Sequence, residues 1–265
     1  MAVNKLIKYF KLFLLFVKIN YLRSMEYRIN FVSAFLPSVL YSLGYLVFMG
    51  SILDRVPSVS GWDFDKMLLL FAVGQFIYYT QWIFYRSSLA EFSQSVNDGS
   101  FDAVAKLPVN TRFMVSFRKQ APNVVVPFVF ALLLFIYALR NTTLLIPDVL
   151  IFLFLIACGF LIYYNICFTF ATLAFYIIDA DDLLWFADDI TRFGSYPLEI
   201  FPPLARAFLL YIVPVMFLAY IPVTALIGIF HWETVFLSIA MVAATTLVSQ
   251  KFWQMGLRHY SSASS

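Results

Sequence analysis

Long apolar runs separated by short polar stretches dominate the pattern of this chain. A helix needs about 20 apolar residues to cross a hydrocarbon core about 30 Å thick, whereas spanning strands alternate in polarity over about ten residues. The runs therefore predict an all-α polytopic membrane protein, with clear spans at about 31–53, 67–89, 121–139, 149–178 and 234–252. Because the 149–178 run is longer than a perpendicular span requires, we expect it to tilt, to break near Gly159 or to project beyond the bilayer.

Residues 4–28 have a different pattern. Apolar side chains such as Phe10 and Leu14 recur at helical spacing opposite Lys8 and Lys11, which is typical of a helix lying in the lipid headgroup plane. We interpret this segment as an interfacial elbow helix. Lysines distributed through it also distinguish it from a cleaved signal peptide, so we expect it to remain in the mature protein.

Two interpretations fit residues 179–229. Hydropathy alone makes 204–229 the fifth span and leaves the aspartate-rich residues before it as a connection. Alternatively, a polar fifth span covers about 183–200, and residues 201–228, which contain four prolines, form a re-entrant hairpin. Both interpretations give six crossings.

The distribution of positive charge predicts the orientation. On the hydropathy interpretation, all 18 Lys and Arg residues except Arg55, Lys66 and Arg140 lie on one side of the membrane. The re-entrant interpretation moves only Arg192 and Arg206 and keeps the bias. By the positive-inside rule, both termini and the polar stretch 90–120 face the cytoplasm. We expect membrane lipids, and no nucleic acid, among the partners.

Intrinsic catalysis is not expected, because 62% of the residues are hydrophobic and only 12% are charged. His231 and His259 fall on opposite membrane faces, and the sequence contains no H-E-x-x-H, no Walker phosphate loop and no G-x-S-x-G. Cys158 and Cys167 are too few for a disulfide framework or a Cys-rich metal site. We therefore predict no catalytic residue, no metal and no ATP site on this chain.

A polar group stands out at Asp188, Asp189 and Arg192, provided that the fifth span is the polar one. Their spacing lets both aspartates pair with Arg192 on one helix face, and charges inside a membrane persist mainly for function. This arrangement would suit an ion-coupled carrier. The alternative interpretation is a wetted surface helix.

Aromatic residues crowd the second span, and among them Tyr78, Tyr79 and Trp82 combine an apolar ring with a polar group. Such a surface suits a lipid-like or glycan-like cargo. The alternative is ordinary packing and interfacial anchoring.

The sequence from Val96 to Val109 is V-N-D-G-S-F-D-A-V-A-K-L-P-V. Asp98 or Ser100 is positioned to cap a short helix that Pro108 ends, between two spans on the cytoplasmic side. A rigid helix there can transmit a push, although a simple linker is the alternative. We call residues 96–109 the coupling segment.

Several motifs, in order along the chain, resemble those of ABC exporter permeases related to daunorubicin-resistance and polysaccharide-export permeases. N-D-G-S-F-D-A-V-A-K-L-P-V at 97–109 is similar to the family motif G-x-L-D-x-x-L-x-x-P, with Phe101 and Ala105 at the usual Leu positions. The others are M-E-Y-R-I-N-F at 25–31, Y-P-L-E-I-F-P at 196–202, V-P-V at 213–215, Y-I-P-V at 220–223 and W-Q-M-G-L-R-H-Y-S-S-A at 253–263.

The resemblance implies a bacterial inner-membrane permease with six spans, an elbow helix and a re-entrant region, and it favours the polar fifth span. It implies two permeases, identical or paralogous, above two ATPase subunits that carry the ATP and Mg. The residues implied in coupling to the ATPase are Gly99, Phe101, Asp102, Leu107 and Pro108, with Glu26 and Arg28 as supporting charges. A membrane assembly protein with the same docking loop is the remaining alternative.

Overall fold

The computed structural model describes residues 2–26, 29–178 and 180–260. Helices form about four-fifths of this part of the chain, and no strand occurs in it. In chain order they are α1 (Ala2–Ser24), α2 (Ile29–Leu53), α3 (Phe64–Gln81), α4 (Ser87–Asn97), α5 (Phe101–Ala105), α6 (Thr111–Phe117), α7 (Val125–Ala138), α8 (Ile146–Thr172), α9 (Ala180–Thr191), α10 (Pro203–Ala207), α11 (Tyr220–Leu226) and α12 (Trp232–His259).

Several of these helices are long and apolar enough to cross a membrane. In the described residues they are Ser33–Leu53, Phe64–Asn97, Pro122–Asn141, Ile146–Phe175 and Trp232–His259. The predicted class, an all-α polytopic membrane protein, is thereby confirmed.

The longest of them joins α3 to α4 through a π-helical turn, Trp82–Arg86, and contains 34 residues. Asp63 caps its start, because the Asp63 carboxylate accepts a hydrogen bond from the Lys66 backbone at 3.0 Å. At 1.5 Å per residue the helix is about 50 Å long, which exceeds a hydrocarbon core of about 30 Å. We call its start, next to Trp62, the far end of the bundle, and its other end, next to the coupling segment, the coupling end.

α8 runs without interruption through Gly159, so of the three alternatives for this long run the break near Gly159 is not the one that forms. The glycine instead permits a close approach of two backbones. A Cβ atom there would lie 2.2 Å from the carbonyl oxygen of Phe217. The missing side chain therefore lets α8 pack directly against the bend that precedes α11.

Residues 180–200 carry the chain from one end of the bundle to the other. Near the coupling end, Gln94 donates a hydrogen bond to Asp181 at 3.1 Å, and at the far end Trp62 Nε1 donates one to Glu199 at 3.1 Å. The predicted span 183–200 is, however, not one continuous helix. α9 ends at Thr191 and is followed by 3-10 turns at Arg192–Ser195 and Leu198–Ile200.

Sequence and packing both explain this break. Pro197 disfavours helical backbone at the residue before it and lacks an amide donor. In addition, Gly194 lies so close to the bend before α11 that a Cβ atom there would be 2.6 Å from the Val215 carbonyl oxygen. The helix is therefore interrupted here, and the interrupted segment packs closely against the bend before α11.

Residues 203–226 form a bent pair, Pro203–Ile212 and Val215–Leu226, at an angle of 72°. The straight helix 204–229 of the hydropathy interpretation is therefore not formed, and Pro214 lies at the bend. Both limbs bind Glu199 near the far end: Arg206 donates to its backbone oxygen, and the Tyr220 hydroxyl donates to its carboxylate at 2.6 Å. The pair is therefore bent at Pro214, and whether it is a re-entrant hairpin stays a prediction.

α1 docks beside the coupling end. Its Asn20 amide donates to Gln120 Oε1 at 2.9 Å, and its Phe13 ring lies 6.0 Å from the rings of Phe84 and Phe117. The opposite face leaves Phe10 exposed, together with other apolar side chains. An apolar face beside lysines is the surface that a headgroup-plane helix requires.

Candidate functional site

The coupling segment contains the short helix α5, which begins at Phe101 and ends at Ala105, three residues before Pro108. Asp98 organises the turn before it, because its carboxylate accepts a hydrogen bond from the Ser100 backbone at 2.8 Å. Hydrogen bonds from the Ser100 side chain and backbone lower the pKa of Asp98. Gly99 adopts φ 77°, a left-handed conformation that a side chain would strain.

An aromatic cluster fixes α5 to the bundle. Phe101 is 1% exposed, and its ring lies 5.4 Å from Phe92, 5.5 Å from Phe175 and 5.1 Å from Tyr260. We call this cluster the aromatic junction; its members are Phe92, Phe101, Phe168, Phe175, Trp253 and Tyr260. They come from α4, α5, the end of α8 and the end of α12, so the coupling segment is joined to three long helices.

A polar contact at the edge of the junction adds to this attachment. The Tyr260 hydroxyl donates a hydrogen bond to Asp102 Oδ1 at 3.0 Å. Desolvation, together with this bond, raises the pKa of Tyr260. One turn earlier, Gly256 lies so close to Phe175 that a Cβ atom there would be 2.3 Å from the ring. The end of α12 is thus packed closely against both α5 and α8.

The predicted coupling residues occupy two different environments. Leu107 is 43% exposed and Pro108 is also exposed, whereas Phe101 faces the interior. Phe101 therefore does not present its side chain to a docking partner in this conformation. Its place is at the root of the segment, and the exposed tip is formed by Leu107 and Pro108.

Arg112 is a further connection at this end, and the sequence pattern carried no signal for it beyond a positive charge in a polar stretch. Its guanidinium donates to Ser249 at 2.6 Å and to Asn165 at 3.2 Å, and it lies 4.2 Å from the Phe168 ring centre. It therefore joins α6 to α8 and α12. We had not predicted this role.

A buried ion pair links the long helix to α9. Arg86 Nε donates to Asp188 at 2.8 Å, and the Tyr163 hydroxyl donates to the other Asp188 oxygen at 2.7 Å. The Arg86 side chain is 1% exposed, and its guanidinium lies over both the Trp82 and the Trp185 ring, at 4.9 and 5.3 Å from their centres. Charge, hydrogen bond and ring contacts together hold the π-helical turn against α9.

The predicted pairing of Asp188 with Arg192 is therefore wrong. Arg192 pairs with Asp189 instead, at 3.5 Å, and both side chains are largely exposed. Asp188 turns inward because α9 presents it to Arg86, which is 102 residues distant in the sequence. The three residues do not form one polar group.

A cavity of about 540 Å³ opens beside the π-helical turn. Its walls come mainly from α2, α3, the 3-10 turn before α7, the 3-10 turn after α9 and the residues just before α11. Tyr78, Tyr79 and Trp82, predicted as cargo-facing aromatics, all line this cavity, as does Arg192. Their contact with a cargo stays a prediction.

Of the two predicted supporting charges, only Glu26 lies in the described part of the chain. Glu26 is exposed in the turn after α1 and forms no ion pair within the described residues, while Arg28 lies outside them. In the described part of the chain, no group of three or more His, Cys, Asp or Glu side chains comes together.

The fold and the coupling end define a polytopic α-helical membrane protein with a short helix fixed beneath its spans. The chain matches the family model described as ABC-2 family transporter protein over residues 39–264. It belongs to this family and is a permease of the ABC transporter class, a membrane component that works with an ABC ATPase subunit. The comparison with curated proteins found no match.

Proposed function

We propose that this permease is the membrane subunit of an ATP-driven exporter and that its coupling segment receives force from a separate ATPase subunit. The attachment of the segment is the observation that carries the proposal. Phe101 is buried in the aromatic junction, whereas Leu107 and Pro108 protrude. Because the root is packed against α4, α8 and α12, a displacement of the exposed tip moves these helices as well.

The proposed assembly contains two permeases, identical or paralogous, and two ATPase subunits that bind ATP and Mg. It lies in the bacterial inner membrane with both chain termini in the cytoplasm. The contact between Tyr260 and Asp102 supports this orientation, since it holds the end of α12 beside the coupling segment. The contact of the Tyr9 and Phe113 rings, at 4.8 Å, does the same for α1.

The chain crosses the membrane six times in this proposal, with residues 180–200 as the fifth crossing. Support comes from their contacts, which reach Gln94 near the coupling end and Trp62 at the far end. Residues 201–228 then enter and leave from the far end. Residues 214–226 are buried in the bundle, which gives the bend and the second limb the protein cover that non-helical backbone inside a membrane requires.

Movement reaches the cavity along the long helix. ATP closes the ATPase dimer, and the two nucleotide states hold the coupling segments through different contacts, which shifts the equilibrium between permease conformations. α4 transmits this shift to the π-helical turn, where Trp82 lines the cavity and Arg86 holds α9. The cavity, as part of the cargo path, then opens towards the far end.

A substitution at the exposed tip tests the proposal without disturbing the core. Leu107→Glu places a charge where an apolar side chain would be buried against the ATPase. In proteoliposomes that contain both subunits, we expect transport-coupled ATP hydrolysis to fall at least tenfold. Leu144→Glu is the matched control, because Leu144 is 47% exposed in the turn before α8, at the opposite end.

The control should leave hydrolysis within twofold of the parent, and both variants should elute as monodisperse proteins of parental size. Full coupled activity in Leu107→Glu would contradict the docking role of the tip. Equal losses in the two variants would contradict it as well, since they would show a general effect of the added charge.

A further inference from the structure

The walls of the cavity combine aromatic rings with polar groups. Tyr41, Tyr78, Tyr79 and Trp82 supply aromatic surface, whereas amide and hydroxyl groups lie between them. A volume of about 540 Å³ falls within the range of sites that hold drug-sized molecules. The rings favour a flat or chain-like apolar body, which they can cover at small entropic cost.

Arg192 is the only charged side chain among the cavity-lining residues that the structure describes. Its guanidinium lies 5.5 Å from the centre of the Tyr41 ring and donates no hydrogen bond within the described chain. An arginine carries five donors in a planar fork that matches carboxylate, sulfate and phosphate groups. Inside a membrane protein such a charge faces the interior or an aqueous path and marks a functional site.

The charges around Arg192 leave it available. Asp189 pairs with it at 3.5 Å, but the two side chains are 71% and 55% exposed, and exposed pairs of this kind contribute little free energy. Asp188, one residue earlier, is engaged in the buried pair with Arg86. An incoming anion therefore competes only with one weakly bound, solvated carboxylate.

Gln81 provides an independent indication of a hydrogen-bond acceptor in the ligand. This residue lines the cavity and is fully buried, and its Nε2 has no hydrogen-bond partner in the described chain. Its Oε1 already accepts a bond from the Tyr85 hydroxyl at 3.3 Å. A buried donor without a partner is unfavourable, and a turn of the Gln81 side chain towards the cavity would let a ligand oxygen accept its hydrogen bond.

We propose that the cavity binds an amphipathic anion, with its acidic group at Arg192 and its apolar body against Tyr78, Tyr79 and Trp82. This inference rests on the proposed place of the cavity in the cargo path. It narrows the cargo to molecules that carry a carboxylate, sulfate, sulfonate or phosphate on a ring or acyl body. Both a soluble amphiphile and an anionic lipid have this chemistry.

A matched pair of fluorescent probes tests the inference on the purified permease in nanodiscs of phosphatidylcholine. 1-Anilinonaphthalene-8-sulfonate and N-phenyl-1-naphthylamine share one aromatic body and differ in the sulfonate. We expect the sulfonate to bind at least tenfold more tightly, with an affinity that falls as salt rises, and the neutral probe to show no salt dependence. This measurement needs no ATPase and no nucleotide.

Variants of two similar arginines locate the sulfonate. Arg192→Gln should weaken sulfonate binding by roughly tenfold or more and change neutral-probe binding less than twofold, since a charged hydrogen bond is lost. Arg192→Lys should keep most of the sulfonate affinity. Arg140→Gln is the control: Arg140 also lies over a tyrosine, 4.0 Å from the Tyr137 ring, and pairs with Asp65 at 3.8 Å, but outside the cavity.

Equal affinity of the parent for both probes would overturn the inference. Equal losses of sulfonate affinity in Arg192→Gln and Arg140→Gln would overturn it as well. So would an Arg192→Gln variant that loses as much affinity for the neutral probe as for the sulfonate. If phosphatidylglycerol added to the nanodiscs competes with the sulfonate probe, the natural ligand is an anionic lipid. If it does not compete, the natural ligand is a soluble amphiphile. If coupled ATP hydrolysis fails while the anion preference holds, only the proposed exporter function falls. If coupled ATP hydrolysis behaves as expected but the cavity shows no preference for the anion, only the proposed ligand class falls.

Discussion

The aromatic junction and the cavity lie along the same long helix, yet they are built in opposite ways. The junction contains rings at centroid distances near 5.5 Å around a Phe101 that is 1% exposed, whereas the cavity leaves about 540 Å³ unfilled between rings of the same kinds. Close packing makes the first region stiff enough to transmit a displacement. The second has room for a ligand, so aromatic content alone does not distinguish a closely packed contact from an open cavity.

The two arginine–aspartate pairs of α9 and its 3-10 turn repeat this contrast. Arg86–Asp188 is closed off from solvent, with Tyr163 and two tryptophans around it, whereas Arg192–Asp189 is open and lies beside the cavity. A buried pair is costly to break, while an exposed pair is easily exchanged for another anion. Burial, rather than residue type, therefore distinguishes the two pairs.

Removing one arginine from each pair gives the largest expected contrast. Arg86→Ala leaves the Asp188 carboxylate buried without its cation, so we expect a loss of about 3–5 kcal/mol in unfolding free energy. Arg192→Ala should cost less than about 1 kcal/mol, because its pair is exposed. Thermal unfolding in mild detergent measures both losses, with the disappearance of the monodisperse elution peak as the readout. Similar losses would contradict the distinction between the pairs.

Phe101→Ala in the junction should have the next largest effect. A buried phenylalanine replaced by alanine costs about 3–5 kcal/mol, and the opened junction should also reduce coupling to the ATPase. Phe101→Leu is the control, since leucine stands at this position in the family motif, and it should retain most of the stability and activity. Coupled hydrolysis and thermal unfolding report the two effects separately. A Phe101→Ala variant with parental stability and parental coupled hydrolysis would show that the junction does not fix the coupling segment.

Tyr260→Phe should have a smaller effect than Phe101→Ala, because it removes only the hydroxyl that binds Asp102 at 3.0 Å. We expect a loss of about 0.5–1.5 kcal/mol. Since the pKa of Tyr260 is raised in the folded protein, its stabilising contribution is complete below the unfolded-state pKa of about 10 and disappears as pH rises through the folded-state pKa. The unfolding free energies of parent and variant should therefore differ at pH 7 and converge above pH 10, as the pH rises through the folded-state pKa.

The sequence by itself determined the class of the protein and the location of its polar surface. Apolar runs long enough to span a bilayer predicted the helices, because the backbone inside a membrane must satisfy its own hydrogen bonds. The turn at Asn97–Gly99 and the proline at Pro108 bounded the coupling segment, since their preferences act within a few residues. The motif at 97–109 extended this reading to the family, which the match over residues 39–264 confirmed.

Only the tertiary structure decided which side chains work together. Asp188 appeared to belong with Arg192, four residues away, but pairs with Arg86 because α9 packs against the π-helical turn. Phe101 appeared to point towards a partner, but faces the interior because the ends of α8 and α12 bring Phe175 and Tyr260 to it. Such contacts depend on how separate helices pack, and a one-dimensional pattern records periodicity along one helix without the position of its neighbours.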